Sequence, residues 1–303
     1  AQGRRRRGVA GSVELWYDGR NKEQEAVEMV GKELRLVALD LDGTLLDTDK
    51  RVSDRCRAVL AALAARGVWI VPVTGRPALP EEVRTLPGLR YAVTSNGVKV
   101  ADVAAGTVLH ERLLPPETAA AVLAAAEPFP GLREVVRGGM AYVSQADFDT
   151  LMRCHAGTAM ERYLRSSRTV LPGTAADLLR AEPLPVEELY FLGPDGATRD
   201  ALQAALAAAV PQIGFVHPSP RDLEVVDGSA DKGSGLAWLL ARLGIDPAAV
   251  LAAGDERSDL PMLRLAGVSV AMGNGHEDVR RAADIVTDTC DQDGVAKVLE
   301  RYL

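Results

Sequence analysis

The sequence predicts an α/β protein: a parallel, Rossmann-like sheet covered by helices forms the core, and a second α/β unit is inserted into it as a cap. Short apolar runs alternate with helical patterns from residue 34 onward, and that alternation changes character between about 114 and 224 before it resumes. A chain of 303 residues is also long for one hydrophobic core and argues for two. The expected division is 1–33 as a flexible N-terminal extension, 34–113 with 225–303 as the core, and 114–224 as the insert.

The first strand is expected over 34–39, an apolar run that stops at Asp40. Ser53 caps a helix running to about Arg66, where a basic side chain suits the negative helix end and Gly67 supplies the stop. The next strand, 68–73, ends in Thr74-Gly75-Arg76. A third run, 91–94, leads into Ser95-Asn96-Gly97, and 98–101 pairs with 107–111 as a hairpin across 104–106. After Pro115-Pro116 come an Ala-rich helix, strands near 132–136 and 140–143, and a polar stretch to Arg180 without a readable pattern. A strand at 188–192, a helix at 198–210 and strands at 214–217 and 223–226 complete the insert. The core resumes with a helix after Lys232, a strand at 250–253, a helix at 260–266, a strand at 268–271 and a last helix from Gly294.

Composition narrows the function. A hydrophobic content of 47% with 25% charged residues is that of a globular protein. The net charge of -7 argues against nucleic acid or an anionic membrane as partner, although an anionic substrate is accessible if a cation and a few basic groups sit in the site. Cys56, Cys154 and Cys290 are far apart and form no CxxC pair, so neither a disulfide framework nor a zinc site is expected, and a reducing, cytoplasmic setting is. No apolar run reaches the length of a membrane span. The basic run Arg4 to Arg7 is followed by a stretch too short and too broken for a signal peptide, and is read as part of a solvated extension.

The chemistry is announced at 40–44. Residues two apart on a strand point the same way, so Asp40 and Asp42 converge just past the strand end, where open α/β sheets bind ligands. Beside a bound cation one carboxylate can attack phosphorus, and its neighbour, if kept protonated, can give a proton to the leaving oxygen. Thr74 offers a hydroxyl beside the flexible Gly75, Lys232 a cation at a helix start, and Asp255 and Asp259 further carboxylates after a strand. Singly, each of these has an ordinary use in a turn, a cap or a solvated surface; four such strand ends together do not.

The order DLDGT, VTGR, SADKGSG and GDERSD closely resembles the haloacid dehalogenase superfamily of phosphatases, over most of 34–303. The large insert, with SNGVKV and AMGNG, looks like its Cof-type branch, which includes sugar-phosphate and cofactor-phosphate hydrolases. The resemblance implies that Asp40 forms an aspartyl-phosphate and that Asp42 acts first as acid and then as base. It also implies Mg2+ held by Asp40, the Asp42 main-chain carbonyl and Asp255, with Asp259 ordering the metal's surroundings and Lys232. Leu41 and Gly43 through their amides, with Thr74, Gly75 and Lys232, would cradle the phosphoryl oxygens, and Asn96 would line the same pocket. Asn274 reads as a loop residue that shapes the site. Ser258 stands where many relatives carry Asn, which puts the detailed support of the metal in question. Within the insert, Arg137, Arg153 and His155 are candidates to touch the rest of a small phosphorylated metabolite. A phosphomutase or phosphotransferase using the same intermediate is the alternative, and a non-catalytic phosphate-binding module a more remote one.

Overall fold

The computed structural model describes residues 34–303; the expected extension, 1–33, lies outside the described residues. The core sheet has five strands in the order β14-β13-β12-β1-β2, with β1 Leu36–Leu39, β2 Trp69–Pro72, β12 Val250–Gly254, β13 Val268–Ala271 and β14 Ile285–Val286. All its pairings are parallel, and every residue of β1, β12 and β13 is buried. That is what a parallel sheet covered on both faces requires, and it explains why these strands read as unbroken apolar runs. Leu39, Leu41, Leu60 and Leu251 pack on one face, and Ala38, Val71, Leu236 and Ala252 on the other.

Between β2 and the insert, β3 Tyr91–Thr94, β4 Lys99–Asp102 and β5 Thr107–Glu111 form a separate three-stranded antiparallel sheet. It stays beside the core sheet through a bridge between Val73 and Val93 and a bond from the Thr74 amide to the Val93 carbonyl at 2.9 Å.

The third sheet belongs to the insert. It has six strands, ordered β10-β11-β9-β6-β7-β8: β6 Leu132–Arg137, β7 Met140–Ser144, β8 Arg168–Leu171, β9 Glu188–Leu192, β10 Ile213–Val216 and β11 Asp222–Asp227. Its last strand runs past the 224 border read from the sequence, because Val225 and Val226 pair within this cap sheet, with Leu189 and Gly214. Helices Pro116–Ala126, Ala175–Ala181 and Gly196–Ala209 pack on one of its faces around Val135, Leu189 and Leu223. The unreadable polar stretch holds helices Gln145–Cys154 and Ala159–Ser167, strand β8 and helix Ala175–Ala181. Each of these elements is ten residues long or shorter and rich in polar residues, so none offers a long apolar run to read.

Core and cap meet at Glu187, a fully buried residue. Its carboxylate accepts from Ser95 Oγ at 2.8 Å, Lys99 Nζ at 2.7 Å and the Gly139 amide at 2.7 Å.

Candidate active site

β1 lies between β12 and β2, so chain order reverses around it and the loops after these three strands open onto one spot. That spot collects Asp40 and Asp42 after β1, Thr74 and Gly75 after β2, and Asp255 after β12. Lys232 joins them from the first turn of helix Lys232–Leu243, which Asp231 and Ser234 close with a reciprocal capping box. The chain can turn at Gly43 only as glycine: its φ is +83°, and a Cβ there would lie 2.2 Å from Asp255 Oδ2.

Lys232 Nζ donates to Asp40 Oδ1 at 2.7 Å and to Asp259 Oδ1 at 2.6 Å, with all three side chains buried. Burial alone would lower the Lys232 ammonium, but Asp259 and Asp40 outweigh it and hold the lysine charged. Asp259 Oδ2 accepts from the amides of Asp255 and Glu256 at 3.0 and 2.9 Å, so both its oxygens are engaged. Asp255 accepts from Thr44 Oγ1 at 3.0 Å and from Asn274 Nδ2 at 3.4 Å, and Asn274 also donates to the Gly43 carbonyl at 2.8 Å. Asn274 thus ties two site loops together.

Asp40, Asp255 and Asp259 each bring a carboxylate oxygen to within 4.8 Å of the others. Burial and then repulsion from Asp259 push Asp40 well above the ordinary carboxyl range, against the pull of Lys232. The same two causes, in the same order, push Asp255 up to about 7. Carboxylates crowded into a buried space and raised by one another suit a hard divalent cation, which prefers oxygen ligands and relieves the repulsion. With Asp259 already engaged by Lys232 and two amides, Asp40 and Asp255 are the carboxylates that fit the ion.

Asp42 is held differently. Arg76 grips it with two bonds of 2.6 Å, Nε to Oδ2 and Nη2 to Oδ1, and Lys50 adds an ion pair at 2.8 Å. Burial works against its charge, yet the Arg76 and Lys50 contacts lower it to about 2. Asp42 therefore stands as a carboxylate here, and not as the protonated acid that donation requires. Neither Arg76 nor Lys50 carried a role in the sequence reading, although Arg76 closes the VTGR segment.

Thr74 is buried, and its Oγ1 accepts from the Arg76 amide at 3.1 Å. Asn96 sits beside Gly75 with φ 53° and donates from Nδ2 to Glu224 Oε2 at 2.6 Å, so it reaches toward the cap sheet. Leu41 turns its side chain into the core, which leaves only its backbone for the site. Ser258 lines the cavity described next.

Between these groups and the cap sheet lies a cavity of about 330 Å3, with Asp40, Asp42, Thr74 and Lys232 on its floor and Glu134, Glu188, Tyr190 and Glu224 in its roof. His155 lines it as expected, but Arg137 and Arg153 do not. Strand alternation explains the first: Glu134 and Val136 of β6 face the cavity, so Arg137 turns away, to Glu182 at 2.7 Å. Arg153 is exposed on its helix and donates to Thr150, two residues from the Leu151 and His155 side that faces the cavity.

The model of the haloacid dehalogenase-like hydrolases matches residues 37–299. The chain belongs to that family. Its enzyme class is that of the family, phosphoric monoester hydrolase. Among curated relatives, it is 28% identical over 269 residues to a phosphoglycolate phosphatase of Methanopyrus kandleri, covering 88% of this chain and 97% of the relative. It is 25% identical over 285 residues to the 5-amino-6-(5-phospho-D-ribitylamino)uracil phosphatase YcsE of Bacillus subtilis, covering 92% and 99%. Its fold matches that of the HAD subclass IIB sugar phosphatase BT4131 with a TM-score of 0.74 at 23% identity, covering 88% of this chain and 98% of that one. Among the described residues no helix is long and apolar enough to cross a membrane.

Proposed function

We propose that this hydrolase cleaves phosphomonoesters of small metabolites, sugar or cofactor phosphates, through an aspartyl-phosphate on Asp40. The observation that carries the reading is the buried Asp40–Lys232–Asp259 chain at the switch point of the sheet, opening into a cavity the size of a small metabolite between core and cap. Asp40 attacks phosphorus, and the bond from phosphorus to the leaving oxygen breaks. Asp42 supplies the proton to that oxygen, then takes one from the water that attacks the aspartyl-phosphate and releases inorganic phosphate. Lys232, the Thr74 hydroxyl and the backbone amides at 41–43 and 75 hold the phosphoryl oxygens, where charge is carried during transfer. Asn96, bound here to Glu224, stands between this cradle and the cap.

The Asp40 carboxylate, the Asp42 main-chain carbonyl and Asp255 would hold Mg2+, with Asp259 and Ser258 around them. The ion, when bound, draws electron density from the phosphoryl group and offsets the negative charge gathered there. Because Arg76 and Lys50 hold Asp42 ionised, donation follows only after the phosphate dianion has competed for those two cations. The insert closes over the leaving group, and the chain returns to complete the core after β11, which ends at Asp227.

The test is release of inorganic phosphate from a panel of sugar, nucleotide, flavin and pyridoxal phosphates with Mg2+ present. Activity is expected to vanish on chelation, return with Mg2+, and fall at least about a thousandfold in Asp40→Asn. Turnover that survives chelation, or a folded Asp40→Asn variant near wild-type rates, overturns the reading.

A further inference from the structure

A side chain of the cap reaches the arginine that grips Asp42. Tyr163, on helix Ala159–Ser167, lines the cavity, and the Arg76 guanidinium lies over its ring with Cζ 4.1 Å from the centroid. Arg76 belongs to the core, on the loop after β2, and is 8% exposed. Arg168 of the cap lies over the same ring at 5.5 Å, and it binds Glu134 through two bonds of 3.1 and 3.0 Å. Asp42, Arg76, Tyr163, Arg168 and Glu134 thus form one line of contacts from the core floor to the cap roof. Tyr163 is carried by the cap: it packs, partly buried, against Leu132, Leu151, Leu164 and Leu192, the cluster that fixes its helix to the cap sheet.

Nε and Nη2 lie along one edge of the Arg76 guanidinium, and both donate to Asp42. Two parallel bonds of this kind set the plane of a carboxylate as well as its place, but only as firmly as the guanidinium itself is held. An arginine side chain has much rotamer freedom to lose, and contact with an aromatic ring restrains it by attraction between cation and π face. Lys50, the other cation on Asp42, cannot take over that task, because an ammonium on a flexible stem is a point charge and sets no plane. Alignment matters here. Asp42 has to meet the leaving oxygen and then water, and a small misplacement of a reacting group costs a large factor in rate.

We propose that Tyr163 is a positioning residue for the reaction: by holding Arg76 against its ring it fixes the plane in which Asp42 is gripped, so that Asp42 is aimed only while the cap is seated. This rests on the phosphatase reading above, with Asp42 acting on the leaving oxygen. Seating of the cap and alignment of the proton-transfer group then become one event. The contact uses the ring of Tyr163 and not its hydroxyl.

The experiment measures kcat/KM of the full chain with Mg2+ for phenyl phosphate and for p-nitrophenyl phosphate. This constant reports the steps through cleavage of the ester, and the two esters differ chiefly in how much the leaving oxygen needs its proton. In Tyr163→Leu the ratio of nitrophenyl to phenyl is expected to rise about tenfold, the scale of a partly desolvated cation–π contact, and Tyr163→Phe is expected to keep the wild-type ratio. Arg76→Gln, a change in the core, is expected to raise the ratio at least as far, and Tyr163→Leu to add nothing in that background. A wild-type ratio in Tyr163→Leu overturns the proposal even where turnover falls, since a packing role slows both esters alike. So does a wild-type ratio in Arg76→Gln, or a rise of about tenfold in Tyr163→Phe, and these two readouts stand if Tyr163→Leu does not fold. If the wild type hydrolyses neither ester, the phosphatase reading fails and the role of Tyr163 falls with it.

Discussion

The floor and the roof of the cavity hold similar numbers of carboxylates and treat them in opposite ways. On the floor each acid is answered: Asp40 and Asp259 share Lys232, Asp42 is gripped by Arg76 and Lys50, and Asp255 takes the Thr44 hydroxyl. In the roof Glu134 is answered by Arg168, while Glu188 Oε2 and Asp222 Oδ1 are buried with no hydrogen-bond partner among the described residues. A floor in which every charge is fixed is preorganised for one reaction, which is where most transition-state stabilisation comes from. A roof with unmet acceptors is completed only by the molecule that enters it, and such a surface discriminates between ligands.

Breaking the floor should cost the most. Lys232→Ala leaves Asp40 and Asp259 buried without their shared cation, and loss of one partner from a buried pair costs about 3–5 kcal/mol. Urea unfolding should register that loss together with a collapse of turnover. Stability unchanged beside lost activity would mean that the three groups do not depend on one another in the folded state.

Arg76→Gln should have a smaller effect that depends on pH in a fixed direction. The folded Asp42 carboxyl is depressed to about 2, so its contribution is present above the unfolded value of about 3.9 and is lost as pH falls through the folded one. The stability gap between wild type and Arg76→Gln should hold steady from neutrality to about pH 5 and narrow below about pH 4. A gap that widened on acidification would contradict the grip on Asp42.

In the roof the sign reverses. Glu188 is raised in the folded state, so the folded protein keeps its proton where the unfolded chain has lost it, and stability drains away as pH rises. Glu188→Gln removes that loss and should stabilise the ligand-free protein by up to about 1 kcal/mol, more at pH 8 than at pH 5. Thermal unfolding at the two pH values checks it; destabilisation at pH 8 would show that Glu188 is satisfied in the free protein.

The same contrast explains what could be read in advance. The parallel strands and the floor were legible because strand-end chemistry is written in contiguous residues: two aspartates at spacing two, a hydroxyl before a glycine, a lysine at a helix start. The Ser53 cap and the 104–106 hairpin turn were equally local. Arg76 was in view but unassigned, since its bond to Asp42 spans 34 residues. The roof depends on which parity of three strands faces inward. Nothing in β6 alone distinguishes Glu134 from Arg137 until its pairing with β9 is known, and so Arg137 was expected in the cavity and the glutamates were not. The β8 region escaped notice because Thr169 and Val170 are exposed and the strand has no buried stripe.

The central claim is that Asp40 carries the phosphoryl group and Asp42 moves the protons, and Asp42→Asn with p-nitrophenyl phosphate tests it most directly. Nitrophenolate is a good enough leaving group to depart without an acid, whereas the second step still needs a base for water. The account predicts a burst of nitrophenolate stoichiometric with enzyme, slow phosphate release after it, and a phosphoryl adduct on Asp40 in the quenched protein. Equal slowing of both products, with no burst and no adduct on Asp40, would contradict it.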